Sequence, residues 1–265
     1  MMRLRTWAAL AFLAIAGLAM WRSQHAPPPA EAAIPRPAAL ARLTRGVNLS
    51  NWLQHGVAQP DYAPDAADWK RIKALGLAHV RVPVDPAALV DERGLPRAPA
   101  LKELRAAIAA AQKADLLVVL AVQLPPEPKA RVVASEADRV ALAGFWRWLA
   151  GALRDLPPDR LAFEPLNEPE TADSAASRAL LRHLVTEIRA VAPRHTLVVS
   201  GHGYAGIAEL EVLKPLADPN VVYSFHFYEP HNFTHQGADW GDPAWKALRN
   251  VPDPSSPEAV AARLQ

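Results

Sequence analysis

The 265-residue sequence contains no cysteine, which excludes disulfide bonds, and its formal net charge is only +2. Basic and acidic residues are interleaved along the chain, and this balance argues against a surface that binds nucleic acid. The longest apolar run, residues 7–21, has 15 residues, fewer than the roughly 20 that a membrane-spanning helix needs. Glycine is scarce, and no glycine-rich turn follows the first predicted strand, which disfavours an open doubly wound sheet. Hydrophobic residues make up 51% of the chain, which indicates a globular domain.

The first residues form a separate unit. Arg3 and Arg5 precede the apolar run 7–21, an order that is typical of an export signal. No small-x-small cleavage site follows the run, so an uncleaved inner-membrane anchor stays open as an alternative. The proline- and alanine-rich stretch that comes next predicts a semi-rigid tether. We therefore predict that the protein is exported and is periplasmic, secreted or anchored to the inner membrane. We expect a signal peptide or membrane anchor over 1–25, a linker over 26–42 and a folded domain over 43–265.

Short apolar runs alternate with helical patterns from residue 43 onward. The strand candidates are 44–50, 77–83, 116–123, 161–167, 195–201 and 221–228. The predicted helices cover 65–75, 99–115, a segment that begins at Ser135, 174–191, a short segment around Ile207 and Leu210, and a last one that begins in 255–265. Such alternation predicts an α/β fold with a parallel sheet. We favour a (β/α)8 TIM-barrel type with only about six βα units present in this chain, because polar residues cluster where the predicted strands end.

The segment FEPLNEPE, residues 163–170, is the most unusual of these strand ends. A carboxylate at the end of a buried strand is costly unless it is paired or used. Asn167 and Glu168 are neighbours, so the chain must bend to bring both side chains to one mouth, and Pro169 should hold Glu168 in an extended conformation. His226 and Tyr228 are two residues apart and should project from the same face of the sixth strand.

Four motifs in this order resemble glycoside hydrolase family 5, the cellulase-like retaining glycosidases, over residues 43 to 245: RGVNLSNW, RVPV, NEP and HFY. The resemblance implies that Glu168 is the general acid/base and that Asn167 holds the sugar 2-hydroxyl group. It also implies that Arg81 and Tyr228 position the nucleophilic carboxylate, and that His226 binds near the cleaved bond. A general acid of this kind needs a raised pKa, which burial and a second nearby carboxylate would supply.

The sequence departs from the family pattern in two places. Gln123 or a near neighbour stands where the family usually has a histidine, at the end of the third strand. The family's nucleophile is a glutamate at the end of a seventh strand, which we expect beyond residue 265, as we do the tryptophan of the eighth strand. We therefore expect the barrel domain to be incomplete at its C-terminal side, and the 265-residue chain not to hydrolyse soluble β-glucan measurably.

The expected substrate is a β-linked polysaccharide. The first candidate is β-1,4-glucan, and mannan or β-1,3-glucan come second. The alternative is a non-catalytic glycan-binding protein, and a cell-envelope scaffold comes third. We expect a monomer that needs no cofactor and no metal, since the histidines His226, His231 and His235 are better explained by loop hydrogen bonds or sugar contacts.

Several side chains have competing structural explanations. Glu164 could be a second site carboxylate, but we favour a structural acid inside the barrel, paired with a cation such as Arg81. Of the two helical tryptophans Trp146 and Trp148, we expect one to pack against the barrel and the other to cover a neighbour. Trp52 and Trp240 lie in predicted loops on the catalytic side, where their faces suit the apolar face of a pyranose, and we predict that they bind substrate.

Overall fold

The structure is a computed structural model that describes residues 37–170, 173–211, 213–253, 255, 256, 258 and 260. The predicted leader over 1–25, residues 26–36 of the predicted linker and most of the predicted helix in 255–265 lie outside the described residues. None of the helices in the described part is long and apolar enough to cross a membrane.

Six parallel strands form one sheet that curls into part of a barrel. The strands are β1 Gly46–Asn48, β2 His79–Val84, β3 Leu117–Val122, β4 Leu161–Glu164, β5 Thr196–Ser200 and β6 Val221–Ser224. Each strand pairs in parallel with the next one along the chain, so spatial order equals sequence order. The predicted fold, a TIM-barrel type with about six βα units, is confirmed. Within the described residues β1 and β6 are the two edges of this sheet.

Helices connect the strands and cover the outer face of the sheet. They are α1 Pro37–Arg42, α2 Ala66–Ala74, α3 Pro86–Leu89, α4 Ala98–Lys113, α5 Pro126–Ala134, α6 Glu136–Leu153, α7 Ser174–Arg189, α8 His202–Ala205, α9 Ile207–Glu211 and α10 His231–Thr234, with 3₁₀ turns at Pro60–Tyr62 and Pro243–Ala247. Their ends follow local chemistry. Asp65 caps α2 in a reciprocal capping box, and Gly76, which takes a φ of +73°, follows the end of that helix.

The main core lies between the sheet and the helices. Every second residue of β3, such as Val118 and Leu120, points outward into a layer that includes Leu104 of α4 and Trp146 of α6. Trp146 is fully buried and Trp148 is only partly buried, as expected for one helical tryptophan against the barrel and one nearer the surface. Burial of this continuous apolar layer is what holds the helices against the sheet.

The inner face of the sheet carries a second, smaller core at the amino-terminal end of the strands. Leu117 and Val119 alternate with the outward residues of β3 and pack with Ala39 of α1. Just outside this core, Asp115 accepts hydrogen bonds from Arg42 of α1, Lys73 and Arg160. Helix α1 therefore closes the lower end of the barrel, and the folded part includes the last six residues, Pro37–Arg42, of the stretch 26–42 that we predicted as a linker.

Two of the differences from the sequence-based predictions bear on the site. Helix α5 has no counterpart among the predicted helices; its prolines at 125, 126 and 128 stand at its start, where proline is well tolerated. Strand β6 ends at Ser224, so the prediction that His226 and Tyr228 lie on the sixth strand is wrong. The chain leaves the ladder there because the backbone N–H of His226 donates to the carbonyl of Ala205, in the turn after β5, at 2.7 Å.

Candidate active site

Five of the predicted site residues meet at the carboxyl ends of the strands. Arg81 comes from β2, Asn167 and Glu168 follow β4, and His226 and Tyr228 follow β6. His226 Nδ1 lies 2.6 Å from Glu168 Oε1, and the rings of His226 and Tyr228 meet edge to face with centroids 6.1 Å apart. The parallel sheet explains this convergence, since all its strands deliver their last residues to one edge.

Arg81 organises the floor of the site. Its guanidinium donates to both carboxylate oxygens of Glu164, at 2.7 and 2.6 Å, and to Asn167 Oδ1 at 2.8 Å. Glu164 is 5% exposed, and the bidentate pair provides the charge that a buried carboxylate needs. The predicted pairing of Glu164 with Arg81 inside the barrel is confirmed. Asn167 is buried as well, so its amide is held in one orientation.

The loop after β4 is anchored before it reaches Glu168. Trp146 Nε1 donates to the carbonyl of Pro165 at 2.8 Å, and the backbone N–H of Asn167 donates to the carbonyl of Val122 at 2.8 Å. The change of direction therefore falls on Glu168, whose φ is +47°. The prediction that Pro169 holds Glu168 in an extended conformation is wrong, since the residue takes the left-handed region that non-glycine residues rarely adopt. Such backbone strain is commonly found at functional sites.

The protonation of Glu168 is set by opposing effects. Burial raises its pKa, but the hydrogen bond and charge of His226, the charge of Lys129 and a hydrogen bond from Asn167 outweigh burial and hold the pKa below its usual value. The expected raised pKa is therefore not what this arrangement produces. The physical reason lies in the neighbouring groups: the interactions with His226, Lys129 and Asn167 favour the ionised form of Glu168, while the carboxylate of Glu164 is neutralised by Arg81.

Tyr228 lies at the open side of the same group. Its side chain is 47% exposed. Burial and the negative charge of Glu168 raise the pKa of the phenol, while Arg81 acts in the opposite direction. The hydroxyl group therefore stays protonated at neutral pH and can donate a hydrogen bond to a bound ligand or carboxylate.

Lys129 of α5 is a site residue that the sequence analysis missed. It is 5% exposed, and its ammonium lies 3.0 Å from Glu170 Oε1 and 5.8 Å from the ring centroid of Tyr204. A lysine this deeply buried is rare unless it is paired. Its only signal in the sequence is a lysine within a proline-rich segment, which does not by itself indicate a site.

The two predicted substrate-binding tryptophans lie in different settings. Trp240 is 64% exposed and packs edge to face on His235 and Trp245, and His235 in turn contacts Tyr228 at 5.3 Å between centroids. Trp240 therefore extends the site as part of an aromatic rim. Trp52 is 3% exposed and belongs to the main core, so it is not brought together with the other site residues.

The histidines of the rim do not form a metal centre. His231 and His235 both stack on Trp245, at 5.9 and 4.5 Å between centroids. In the part of the chain that the structure describes, no group of three or more histidines and carboxylates is placed to hold a metal ion. The rim is therefore an aromatic surface.

The arrangement can carry out proton transfer next to an aromatic surface. Glu168 is partly accessible, with 24% of its side chain exposed, and donors or cations hold it from several sides. A ligand that lies against the rim could place an oxygen atom within reach of this carboxyl group. Glu164 and Glu170, the acids nearest to Glu168 in sequence, are already engaged by Arg81 and Lys129.

Comparisons with known proteins agree with this geometry. The relatives include endoglucanase C of Acetivibrio thermocellus, 28% identical over 227 residues, with 81% of this chain and 66% of the relative covered. Endoglucanase 3 of Fibrobacter succinogenes is 25% identical over 236 residues, which cover 83% of this chain and 36% of the relative. The crystal structure of an endoglucanase from Thermotoga maritima superimposes with a TM-score of 0.73 at 26% identity, covering 85% of this chain and 74% of that one. The chain thus spans a third to two thirds of the length of these two sequence relatives.

The family assignment follows from a broader match. The model of the cellulase family, glycosyl hydrolase family 5, matches residues 42–253. This range contains all six strands and every residue of the site described above. The chain therefore belongs to glycosyl hydrolase family 5, the cellulases.

Proposed function

We propose that this chain carries the acid/base half of a retaining glycoside hydrolase site that acts on β-linked polysaccharide, with β-1,4-glucan as the first candidate substrate. The observation that carries the proposal is the position of Glu168, at the carboxyl end of β4 and 2.6 Å from His226, in a family of cellulases. The relatives are endoglucanases, and structures of the Thermotoga maritima protein were determined in complex with cellobiose and with mannotriose.

In the proposed reaction Glu168 acts twice. It first donates its proton to the glycosidic oxygen as the bond to the anomeric carbon breaks, and it then takes a proton from the water that releases the sugar. Asn167, fixed by Arg81, holds the 2-hydroxyl group of the sugar, a contact that strengthens in the transition state. The hydrogen bond with His226 keeps the carboxyl group of Glu168 in one position between the two steps. Trp240 provides an apolar face for a neighbouring sugar ring.

Retaining chemistry needs a second carboxylate about 5–5.5 Å from the first. Among the described residues Glu164 is held by Arg81 and Glu170 by Lys129, so neither is free to attack a sugar. We propose that the nucleophile is a glutamate outside the described residues. We also propose that the protein is monomeric and exported, through the leader predicted over 1–25.

A test of the acid/base role supplies the nucleophile from solution. The 265-residue chain is incubated with phenyl β-cellobioside and azide, which can form the bond to the anomeric carbon while Glu168 protonates the departing phenolate. We expect no measurable hydrolysis of soluble β-glucan without azide, and formation of cellobiosyl azide with it. Glu168→Gln should lower this rate by about a hundredfold or more, whereas a dinitrophenyl leaving group, which needs no proton, should restore it.

Glu127→Gln provides the matched control, because Glu127 is an exposed acid on α5, with 86% of its side chain accessible. Binding of cellotetraose, measured by calorimetry, should be similar in the parent chain and in Glu168→Gln. Binding without any azide product would favour the alternative, a non-catalytic glycan-binding protein. Failure to bind any cello-oligosaccharide would overturn the proposal, and robust hydrolysis without azide would overturn the placement of the nucleophile.

A further inference from the structure

Lys129 connects two loops of the site. It projects from α5, an element that contributes no other group to the site, and its ammonium forms an ion pair with Glu170, two residues after Glu168. Only 6% of its side chain is exposed. Burying a lysine costs conformational entropy and desolvation, so a lysine placed here needs a compensating electrostatic interaction.

The second partner of Lys129 lies on a strained turn. Gly203, Tyr204 and Ala205, which form most of α8, have φ values of +59°, +60° and +62°, a left-handed turn. Left-handed conformation is unfavourable for the two non-glycine residues. The turn places the ring of Tyr204 near the ammonium of Lys129, at 5.8 Å, a cation–π distance.

The same turn also holds His226. The carbonyl of Ala205, which is completely buried, accepts a hydrogen bond from the backbone N–H of His226 at 2.7 Å. His226 in turn contacts Glu168 at 2.6 Å. The contacts therefore form a closed ring: Lys129 to the turn after β5, this turn to His226, His226 to Glu168, and the loop of Glu168 back to Lys129 through Glu170.

Glu168 faces charged and titratable groups from every element around it. They are Arg81 on β2, Lys129 on α5, Glu170 on its own loop, and His226 and Tyr228 after β6. Arg81 is tied to Glu164. Lys129 is the lysine whose charge acts on Glu168 and whose carboxylate partner, Glu170, lies on the loop of Glu168 itself.

We propose that Lys129 is a positioning residue for Glu168: through Glu170 and Tyr204 it fixes the two loops that hold the acid/base group, and it places its ammonium group beside them. This inference rests on the proposed function only in calling Glu168 the acid/base group. The electrostatic link itself is a property of the free protein, and it makes the protonated form of Glu168 available only at more acidic pH.

The test is a titration of the Glu168 carboxyl carbon by NMR in the free 265-residue chain, with the signal assigned by its loss in Glu168→Gln. Lys129→Met should raise the pKa of Glu168, whereas Lys129→Arg should keep it near the parent value. Glu170→Gln should lower it, because the ammonium no longer shares its charge with Glu170. Arg131→Met is the matched control: Arg131 is on the same helix, with half of its side chain exposed, and pairs with Glu127 and Asp138.

Opposite shifts in Lys129→Met and Glu170→Gln would support the proposal, since a purely structural role would disturb the loop in a similar way in both variants. Unchanged midpoints in both, or shifts of the same sign, would overturn it. If Lys129→Met does not fold, Lys129→Arg and Glu170→Gln still decide the outcome. Opposite shifts in a protein that binds no cello-oligosaccharide would keep the Lys129 link and refute the proposed function, so the two failures are distinguishable.

Discussion

Acidification from pH 7.5 to pH 5 should lower the free energy of unfolding by about 2 kcal/mol through one side chain, His195. This residue precedes β5, is 2% exposed, and stacks on Phe163 with ring centroids 4.9 Å apart. Burial, reinforced by the positive charges of Arg189 and Arg194, lowers its pKa from 6.5 to about 4.

The direction and size of this loss of stability follow from proton uptake by His195. Between pH 6.5 and about 4 the unfolded chain binds a proton at His195 that the folded chain does not, so stability is full above 6.5 and falls as the pH falls. At pH 5 the imidazole is almost fully protonated in the unfolded chain but only about a tenth protonated in the folded one. This difference in protonation lowers the free energy of unfolding by about 2 kcal/mol at pH 5. The loss grows to roughly 3 kcal/mol at and below about pH 4.

The assay is urea unfolding at the two pH values, followed by tryptophan fluorescence, for the parent chain and for His195→Leu. Leucine keeps an apolar contact with Phe163 but cannot bind a proton, so the loss of stability between pH 7.5 and pH 5 should be about 2 kcal/mol smaller in the variant. Because other groups titrate equally in both chains, the comparison isolates His195. His183→Leu, at an exposed position of α7, should behave like the parent chain. Equal losses in the parent and His195→Leu, within about 0.5 kcal/mol, would refute the reasoning.

Two further predictions concern the anchors of the fold. Trp146→Phe removes the donor to the buried carbonyl of Pro165 and should lower the free energy of unfolding by about 1–3 kcal/mol. Trp148→Phe should lower it by less. Equal effects of the two substitutions would count against this anchor. Asp115→Asn, which tolerates the φ of +62° at this position, should lower the urea midpoint by weakening its three cationic contacts. This effect should be smaller at 1 M salt than at low salt, and a salt-independent effect would contradict an electrostatic origin.

The fold was predictable because its signals are local. Each strand is a short apolar run, and the capping residues Asp65 and Ser135 begin α2 and α6 where the sequence indicates. Helix α5 has no counterpart among the predicted helices. Its prolines stand at the start of the helix, where no backbone donor is needed, and proline suits a loop as well as such a first turn.

Five members of the site were predictable from the sequence, but its charges were not. Asn167, Glu168, His226 and Tyr228 follow strands that end at one edge of the sheet, and Arg81 reaches them from within β2. The conformation of Glu168 and the pairing of Lys129 depend on contacts between residues far apart in the sequence, and no local pattern encodes them. Trp52 was predicted to bind substrate but lies in the main core, because a tryptophan in a predicted loop suits either place.

Two carboxyl groups at the end of β4 are placed differently: Glu164 is the last residue of the strand, and Glu168 lies in the loop that follows it. Glu164 points into the barrel, where the fork of Arg81 occupies both oxygens, so it cannot exchange a proton without leaving a buried cation unpaired. Glu168 has a left-handed backbone conformation, and its carboxyl group contacts His226 at 2.6 Å. A nucleophilic carboxylate about 5 Å away would add a like charge and raise the pKa of Glu168. Among the described residues, the neighbouring acids Glu164 and Glu170 are both paired with basic side chains, which fits the lowered pKa of Glu168.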